Sequence, residues 1–510
     1  MGSASASSSE FLGWTLDALV WLHRWTGVAL CLLFALWFAS GVVMVFAPFP
    51  SLSAADRTAH TAAFDPSAVR ISPAEAQQIA GGGEALRLVS VAGRTAYVVA
   101  LPVWPQVVIS ADEGQPMKPI SPVQAKAVAE AFSGEQAASV SGPFSSDQWT
   151  GNQKFDGFRP FYRVRMGGPG SVDLYVSSRT GEVVQRTRGV ERFLNGPGAL
   201  LHSLSIGPLR KNAGGWNFIL RWLSFIGLVT AVVGYALGLF RTAQSALQQQ
   251  GPSPFTDWLR WHHLLGVLGG LFVLTWIYSG WLSTDNGWLF HRAGPSPAAA
   301  ARFTGMSASD AAQQITLDDL RRLGPSGQIT FGAVAGQAFA SATGGPQATP
   351  RVILAGTPGA PLSRVPDSLI TSAVMMAWRG GRAGPVAPTP STDFFATAER
   401  MPTSTVSLTS QSGVGPMIYV DAVDGRLVAA IDSSRALYTW LYYGLHTFRV
   451  PGLIEHPILR VIIILIPLLL GLAFSVTSVV IGVRRLMVEA PKAKRRRVFG
   501  VKVLQRSLDR

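Results

Sequence analysis

Four long apolar runs decide what this chain can fold into. They are roughly Trp25 to Ala47, Phe218 to Phe240, Leu264 to Leu282 and Ile458 to Val483. Each approaches or exceeds the ~20 residues that a helix rising ~1.5 Å per residue needs to cross ~30 Å of hydrocarbon. With 48% hydrophobic and 14% charged residues and a mean hydropathy of +0.27, the 510-residue chain is too apolar for an ordinary soluble protein. Met1 to Glu10 holds no basic residue, and the apolar run after it is too long for a cleaved signal, so it reads as the first membrane helix.

Flanking charge sets the expected orientation. Residues 484–510 carry ten Lys and Arg against Glu489 and Asp509, which places the C-terminus in the cytoplasm. Four crossings bring the N-terminus to the same side, with the short 241–260 connection also inside and two long loops outside. The expected order is an N-terminal segment and first helix (1–47), an outer domain (48–215) and a second helix (216–240). The connection (241–260), a third helix (261–284), a second outer domain (285–457), a fourth helix (458–483) and a basic tail (484–510) complete it. Much of the formal charge of +14 lies in that tail. KRRR at 494–497 reads as a positive-inside segment against anionic membrane lipid, and no nucleic-acid partner is expected.

The chain also repeats itself. WLHRWTGVALCLLFALWFASG (21–41) aligns without a gap on RWHHLLGVLGGLFVLTWIYSG (260–280), so His23, Gly27, Trp37, Ser40 and Gly41 meet His262, Gly266, Trp276, Ser279 and Gly280 at an offset of 239. VDLYVSSRTGEVV (172–184) falls on PMIYVDAVDGRLV (416–428) at an offset of 244, which also carries His202 onto His446. Histidine is only 8 of 510 residues, so two coincidences of this kind suggest a paired role.

In each outer loop a helical signal precedes strand signals. ISPAEAQQIAGG and ISPVQAKAVAEAF place Ser-Pro before an Ala-rich amphipathic run, an N-cap with a first-turn proline. FYRVRM, VDLYVSS and EVVQRT then alternate as antiparallel strands do. The second loop repeats this more loosely in MSASDAAQQI, RVILA and MIYVDAVDGRLVAAI, with irregular Gly/Pro-rich stretches at 344–350 and 383–390. The fold class expected is an integral membrane α-helical protein, four transmembrane helices with a two-fold internal repeat, carrying two extracytoplasmic α+β domains.

DQWTGNQKFDGFRPFYRVRMGGPGSVDLYVSSRTGEVVQRT and WHHLLGVLGGLFVLTWIYSGWLS resemble the pattern of the PepSY-associated transmembrane helix family, and the likeness covers nearly the whole chain. The resemblance implies PepSY-like outer domains, a bacterial inner membrane and loops in the periplasm. Characterised relatives are inner-membrane reductases that bind haem and release iron from ferric siderophores. What the resemblance implies here is outward electron transfer to a ferric-siderophore-like substrate.

Haem iron takes a neutral imidazole on each axial side, and histidines on facing helices are a common way to hold haem b. In a parallel repeat, equivalent residues near the axis face each other. His23 and His262 are therefore expected to ligate one haem at the cytoplasmic side, and His202 and His446 another at the outer side. His263 competes with His262, since adjacent helical residues point about 100° apart. Arg221 and Arg460, matched at offset 239, either snorkel to the interface or pair with haem propionates, and Arg24 is a further propionate candidate. Gly27 and Gly266 either clear space for a flat macrocycle or allow close helix packing. In the outer loops Trp104, Trp149, Trp378 and Arg379 are candidates to receive a chelate. His60, His291 and His456 have no counterparts and read as surface residues.

Cys31 is the only cysteine, which excludes an intramolecular disulfide, a cysteine-ligated cluster and covalent haem attachment, so any haem is held non-covalently. There is no nucleotide-binding glycine motif, and about 20 cytoplasmic residues cannot hold a flavin or nicotinamide domain. Electrons must come from a separate cytoplasmic reductase or from quinol. The competing expectation is a non-redox protein whose outer domains dock a peptide, peptidase or receptor, with the helices as anchors.

Overall fold

The computed structural model describes residues 3–102, 106–205, 212–346, 349–378, 383–409 and 415–508. Four helices are long and apolar enough to cross a membrane: Gly13–Phe46, Gly214–Leu247, Asp257–Leu282 and Pro457–Val488. Three of them lie within longer helices, Ser3–Phe46, Ala213–Leu247 and Pro457–Leu508, and the third is the whole of Asp257–Leu282, so the turn between the second and third is shorter than the sequence suggests. Leu32, Phe272, Ile462 and Ile466 are exposed on the bundle, an apolar surface that suits lipid and would be costly in water.

The chain divides into two compact units. The helical unit comprises 1–48, 194–285 and 440–510. The first helix packs on the fourth and second, and the third on the second and fourth. Leu30, Phe34, Phe38, Val273, Trp276, Ile277, Ile464 and Leu468 form its core. Small residues let the helices approach, as where Gly471 faces the ring of Phe38 and Gly482 faces the Cys31 sulfur.

The second unit, named the outer unit after the side of the membrane expected for it, comprises 49–193 and 286–439, so residues 194–215 and 440–457, expected with the outer domains, belong with the helices. The Ser-Pro signals do start helices. Ser72 caps Pro73–Ile79 in a capping box with Glu75, and Ser121 caps Pro122–Ser133 with Gln124.

The strands of the first segment are β1 (Ala85–Val91), β2 (Arg94–Ala100), β3 (Val107–Ser110), β4 (Ala137–Phe144), β5 (Phe161–Met166), β6 (Asp173–Ser177) and β7 (Val183–Thr187). Those of the second are β8 (Gln328–Val334), β9 (Gln337–Thr343), β10 (Arg351–Leu354), β11 (Ala387–Pro388), β12 (Thr405–Leu408), β13 (Met417–Asp421) and β14 (Leu427–Ile431). The short β11 lies in a stretch expected to be irregular.

Each segment builds one four-stranded sheet, β4-β5-β6-β7 and β11-β12-β13-β14. The helix Pro122–Ser133 covers the first through Ala125, Ala129 and Phe132, and Asp367–Ala377 covers the second through Ile370, Ala373 and Val374. The remaining strands join across the two segments in one six-stranded sheet, β10-β9-β8-β1-β2-β3. Its seam pairs Leu86 with Phe331 and Leu88 with Ile329. Where the sequence suggests two separate domains, the segments thus share a sheet and a core. The reason lies in the strand pleat. Leu86 and Leu88 enter a core containing Ile329, Phe331 and Ala340, while Val89 and Val91 of the same strand enter the core under Pro122–Ser133. A strand apolar on both faces needs cover on both, and the second segment supplies part of it.

Candidate functional site

Two histidine pairs lie inside the helical unit. His202 and His446 each come after a wide, five-residue π-helical turn, Gly196–Leu200 and Trp440–Gly444, and the two turns also lie 244 residues apart. Such turns add a residue to the helical circuit and re-aim the side chains beyond them. Each histidine backbone is then fixed to a long helix. Trp37 Nε1 donates to the His202 carbonyl at 3.0 Å, and Trp276 Nε1 donates to the His446 carbonyl at 3.1 Å. The rings are fixed in the same way, with His202 Nδ1 2.9 Å from Ser40 Oγ and His446 Nδ1 3.0 Å from Ser279 Oγ. Ser40 spends its own proton on the Leu36 carbonyl at 2.6 Å, so its oxygen accepts from Nδ1–H. The two ring centroids are 6.1 Å apart. Burial, and then the neighbouring His202, pushes His446 down to about 3, and burial lowers His202 as well, so both are neutral at ordinary pH.

The second pair sits about 25 Å along the bundle, since 17 residues separate His23 from Ser40 and His262 from Ser279. His23 and His262 have ring centroids 6.3 Å apart. His23 Nδ1 donates to the Thr230 carbonyl at 3.0 Å, and His262 Nδ1 lies 3.2 Å from both Thr477 Oγ1 and Ser478 Oγ. Thr477 gives its proton to the Phe474 carbonyl and is left as an acceptor. The Phe474 ring stacks on His262 at 4.6 Å.

All four histidines therefore hold Nδ1 in a hydrogen bond, and among the described residues no hydrogen bond reaches Nε2 of any of them. His263 differs. Its Nε2 donates to the Gly238 carbonyl at 3.0 Å and its Nδ1 meets Ser253 Oγ at 2.9 Å, so both nitrogens are used and the buried ring ties helices together.

A cavity of about 840 Å³ opens around His23 and His262. Arg24, Arg241, Arg484 and Arg485 stand on its wall, together with Tyr235 and Phe474. The two glycines whose roles the sequence leaves open part company here. A Cβ at Gly27 would meet nothing within 4 Å, whereas one at Gly266 would lie 2.9 Å from Phe474, so Gly27 clears space and Gly266 serves packing. Gly234 is a further requirement, because a Cβ there would strike the His23 ring.

Of the matched arginines, Arg221 donates to the Thr284 carbonyl at 3.2 Å and Arg460 to the Thr447 carbonyl at 2.9 Å, so each ties a helix end to a connecting segment. In the outer unit Trp149 is buried beside Phe49 and Trp378 packs against the core of its sheet. Trp104 and Arg379 lie outside the described residues. His60 is exposed and bonds its own helix, and His291 pairs with Asp432 at 2.5 Å.

The family model for the PepSY-associated TM region matches residues 20–485. The chain belongs to that family. No curated protein matches it. In this PepSY-associated chain the matched span contains all four paired histidines and both segments of the outer unit. Sequence reasoning missed Arg241, Arg484, Arg485, Tyr235 and Gly234. The repeat carried one signal for them: Arg241 falls on Arg485 at the offset of 244 that also pairs His202 with His446, whereas Arg484, Tyr235 and Gly234 meet no identical residue at either offset.

Proposed function

We propose that this membrane protein holds haem b at two levels, between His23 and His262 and between His202 and His446, and passes electrons to an oxidised metal complex such as a ferric chelate. The observation that carries this reading is the shared geometry of the two pairs. Metal–nitrogen bonds of about 2.0 Å on each side of an iron set imidazole centroids about 6 Å apart, and the pairs measure 6.3 and 6.1 Å. An Nδ1–H given to a carbonyl or hydroxyl leaves the Nε2 lone pair for iron, which is how metal-bound histidines are usually oriented. Haem b, when bound, supplies reversible one-electron transfer.

This chain's own residues supply the rest. Thr230, Thr477, Ser478, Ser40 and Ser279 hold the tautomers. Gly27 leaves room for a flat ring, and Arg24, Arg241 and Arg484 present cations to carboxylates. The two halves act as a parallel repeat in a bacterial inner membrane, with both termini cytoplasmic and both long loops periplasmic, on the argument of the basic tail. The two pairs would hold haem between a donor on the cytoplasmic side, a separate reductase or quinol, and an acceptor on the other side. One electron converts Fe(III) to Fe(II), which hard oxygen ligands hold less strongly, so no bond of the chelator need break.

The test is single substitution. His23→Ala and His446→Ala are each expected to remove one bis-histidine haem signal while the other stays, and either substitution should stop reduction of a ferric chelate by the reconstituted protein. If both variants keep the full signal, the assignment fails.

A further inference from the structure

The cavity at His23 and His262 does not end at the two rings. Its lining continues along the third helix from His262 back to Asp257, and along the fourth from Ser478 to Val488, about 7.5 Å and about 15 Å of helix. At this end the wall changes character. Trp258, Leu259 and Val488 line the cavity and are also large apolar side chains exposed on the surface of the bundle. They stand in the first and last turns of the spans Asp257–Leu282 and Pro457–Val488, at the depth where hydrocarbon gives way to water and where tryptophan is enriched. The mouth of the cavity is thus bordered by side chains that suit lipid.

Two charged groups stand in this apolar border. The Arg484 guanidinium lies 5.9 Å from the centre of the Trp258 ring. Asp257, the neighbour of Trp258, is exposed, and its carboxylate accepts from Thr256 Oγ1 at 3.5 Å. Among the described residues neither Asp257 nor Arg484 makes an ion pair within 4 Å. A carboxylate acceptor, a guanidinium donor and an indole face in an apolar mouth are the few polar groups and the aromatic surface that orient a flat, oxygen-bearing ring. Only residues 248–256 join the second helix to the third, too few for a domain that would bind a nucleotide or flavin donor.

We propose that this mouth binds a lipid-soluble quinol, the electron donor to the His23 and His262 level; the proposal rests on the reading of that pair as a haem site. Trp258 offers the ring its face, Arg484 donates to one ring oxygen and Asp257 accepts the hydroxyl proton. One quinol loses two O–H protons and two electrons and becomes the quinone. The electrons go one each to two ferric haem irons, which become ferrous, and the protons leave through Asp257 to water. A soluble electron carrier would call for a polar rim, whereas the apolar border matches a donor that arrives through the bilayer.

Two readouts on the full-length protein in lipid nanodiscs test this. In stopped flow, the haem-loaded chain is mixed with decylubiquinol or menadiol and the b-type absorption is followed. In parallel an azidoquinone is photoactivated with and without excess decylubiquinone, and its attachment is mapped by peptide mass spectrometry. Haem reduction by at least one quinol is expected, slowed tenfold or more in Asp257→Asn at unchanged haem content and melting temperature. The label should fall on 257–259 or 484–488, be displaced by decylubiquinone, and drop tenfold or more in Arg484→Gln. Dithionite separates the two readings: a chain with no haem to reduce defeats the proposed function, and the displaceable label then decides the quinol site by itself. Haem that dithionite reduces but neither quinol does, an Asp257→Asn chain reduced at the parent's rate, or no displaceable label at the mouth overturns the site.

Discussion

Gly234→Ala should damage the inner histidine pair although the added group is one methyl on the second membrane helix. The methyl would strike the imidazole of His23, which Nδ1 holds to the Thr230 carbonyl at 3.0 Å. Moving the ring breaks that hydrogen bond, at about 0.5–1.5 kcal/mol, and forces an off-rotamer side chain, at about 0.5–1.5 kcal/mol. The sum, about 1–3 kcal/mol, corresponds to roughly a five- to 150-fold loss of haem affinity. The assay is haem titration of the purified protein in a His202→Ala/His446→Ala background, where the remaining signal comes from the inner pair. Gly13→Ala, on the first helix and away from the cavity, is the control, since a Cβ there meets nothing within 4 Å and the substitution should leave affinity within a factor of two or three. Equal affinity for Gly234→Ala and its parent would refute the packing argument, as would equal damage from Gly13→Ala.

Ser40→Ala removes the acceptor for His202 Nδ1, and should weaken haem at the outer pair by about 10- to 100-fold while the inner signal is unchanged. The haem-free protein should lose stability as pH falls from about 6.5 towards 3, because buried His446 stays neutral to about 3 while the unfolded chain takes up its proton near 6.5. Thermal melts across that window check this, and a His446→Leu chain should show a shallower slope. Leu88→Ala, in the shared sheet at 0% exposure, should cost about 2–5 kcal/mol. Hydrogen exchange should then quicken in β1–β3 and β8–β10 together, and a change confined to the first segment would contradict the shared core.

What could be read from the sequence is what repeats or has a short-range cause. The membrane helices come from apolar length, the helix starts at Ser72 and Ser121 from capping chemistry, and the histidine pairing from the offsets of 239 and 244. Local pattern says nothing about partners far away in the chain. β1 is apolar on both faces, and its pairing with β8, some 240 residues later, has no local signature. The wide turns before His202 and His446 also escape periodicity, since their sequences, GPGAL and WLYYG, share little. His262 and His263 are separable only by their hydrogen bonds: the first keeps Nε2 open and the second uses both nitrogens.

The central claim is that two histidine pairs each hold a haem. The most direct measurement is haem per chain by pyridine haemochrome, with a dithionite-reduced-minus-oxidised spectrum, on protein purified from cells supplied with haem precursor. The account predicts a b-type bis-histidine spectrum at about two haems per chain, falling to about one in His23→Ala/His262→Ala and in His202→Ala/His446→Ala. A purified, folded chain without haem would contradict it and leave the paired histidines as helix-packing residues.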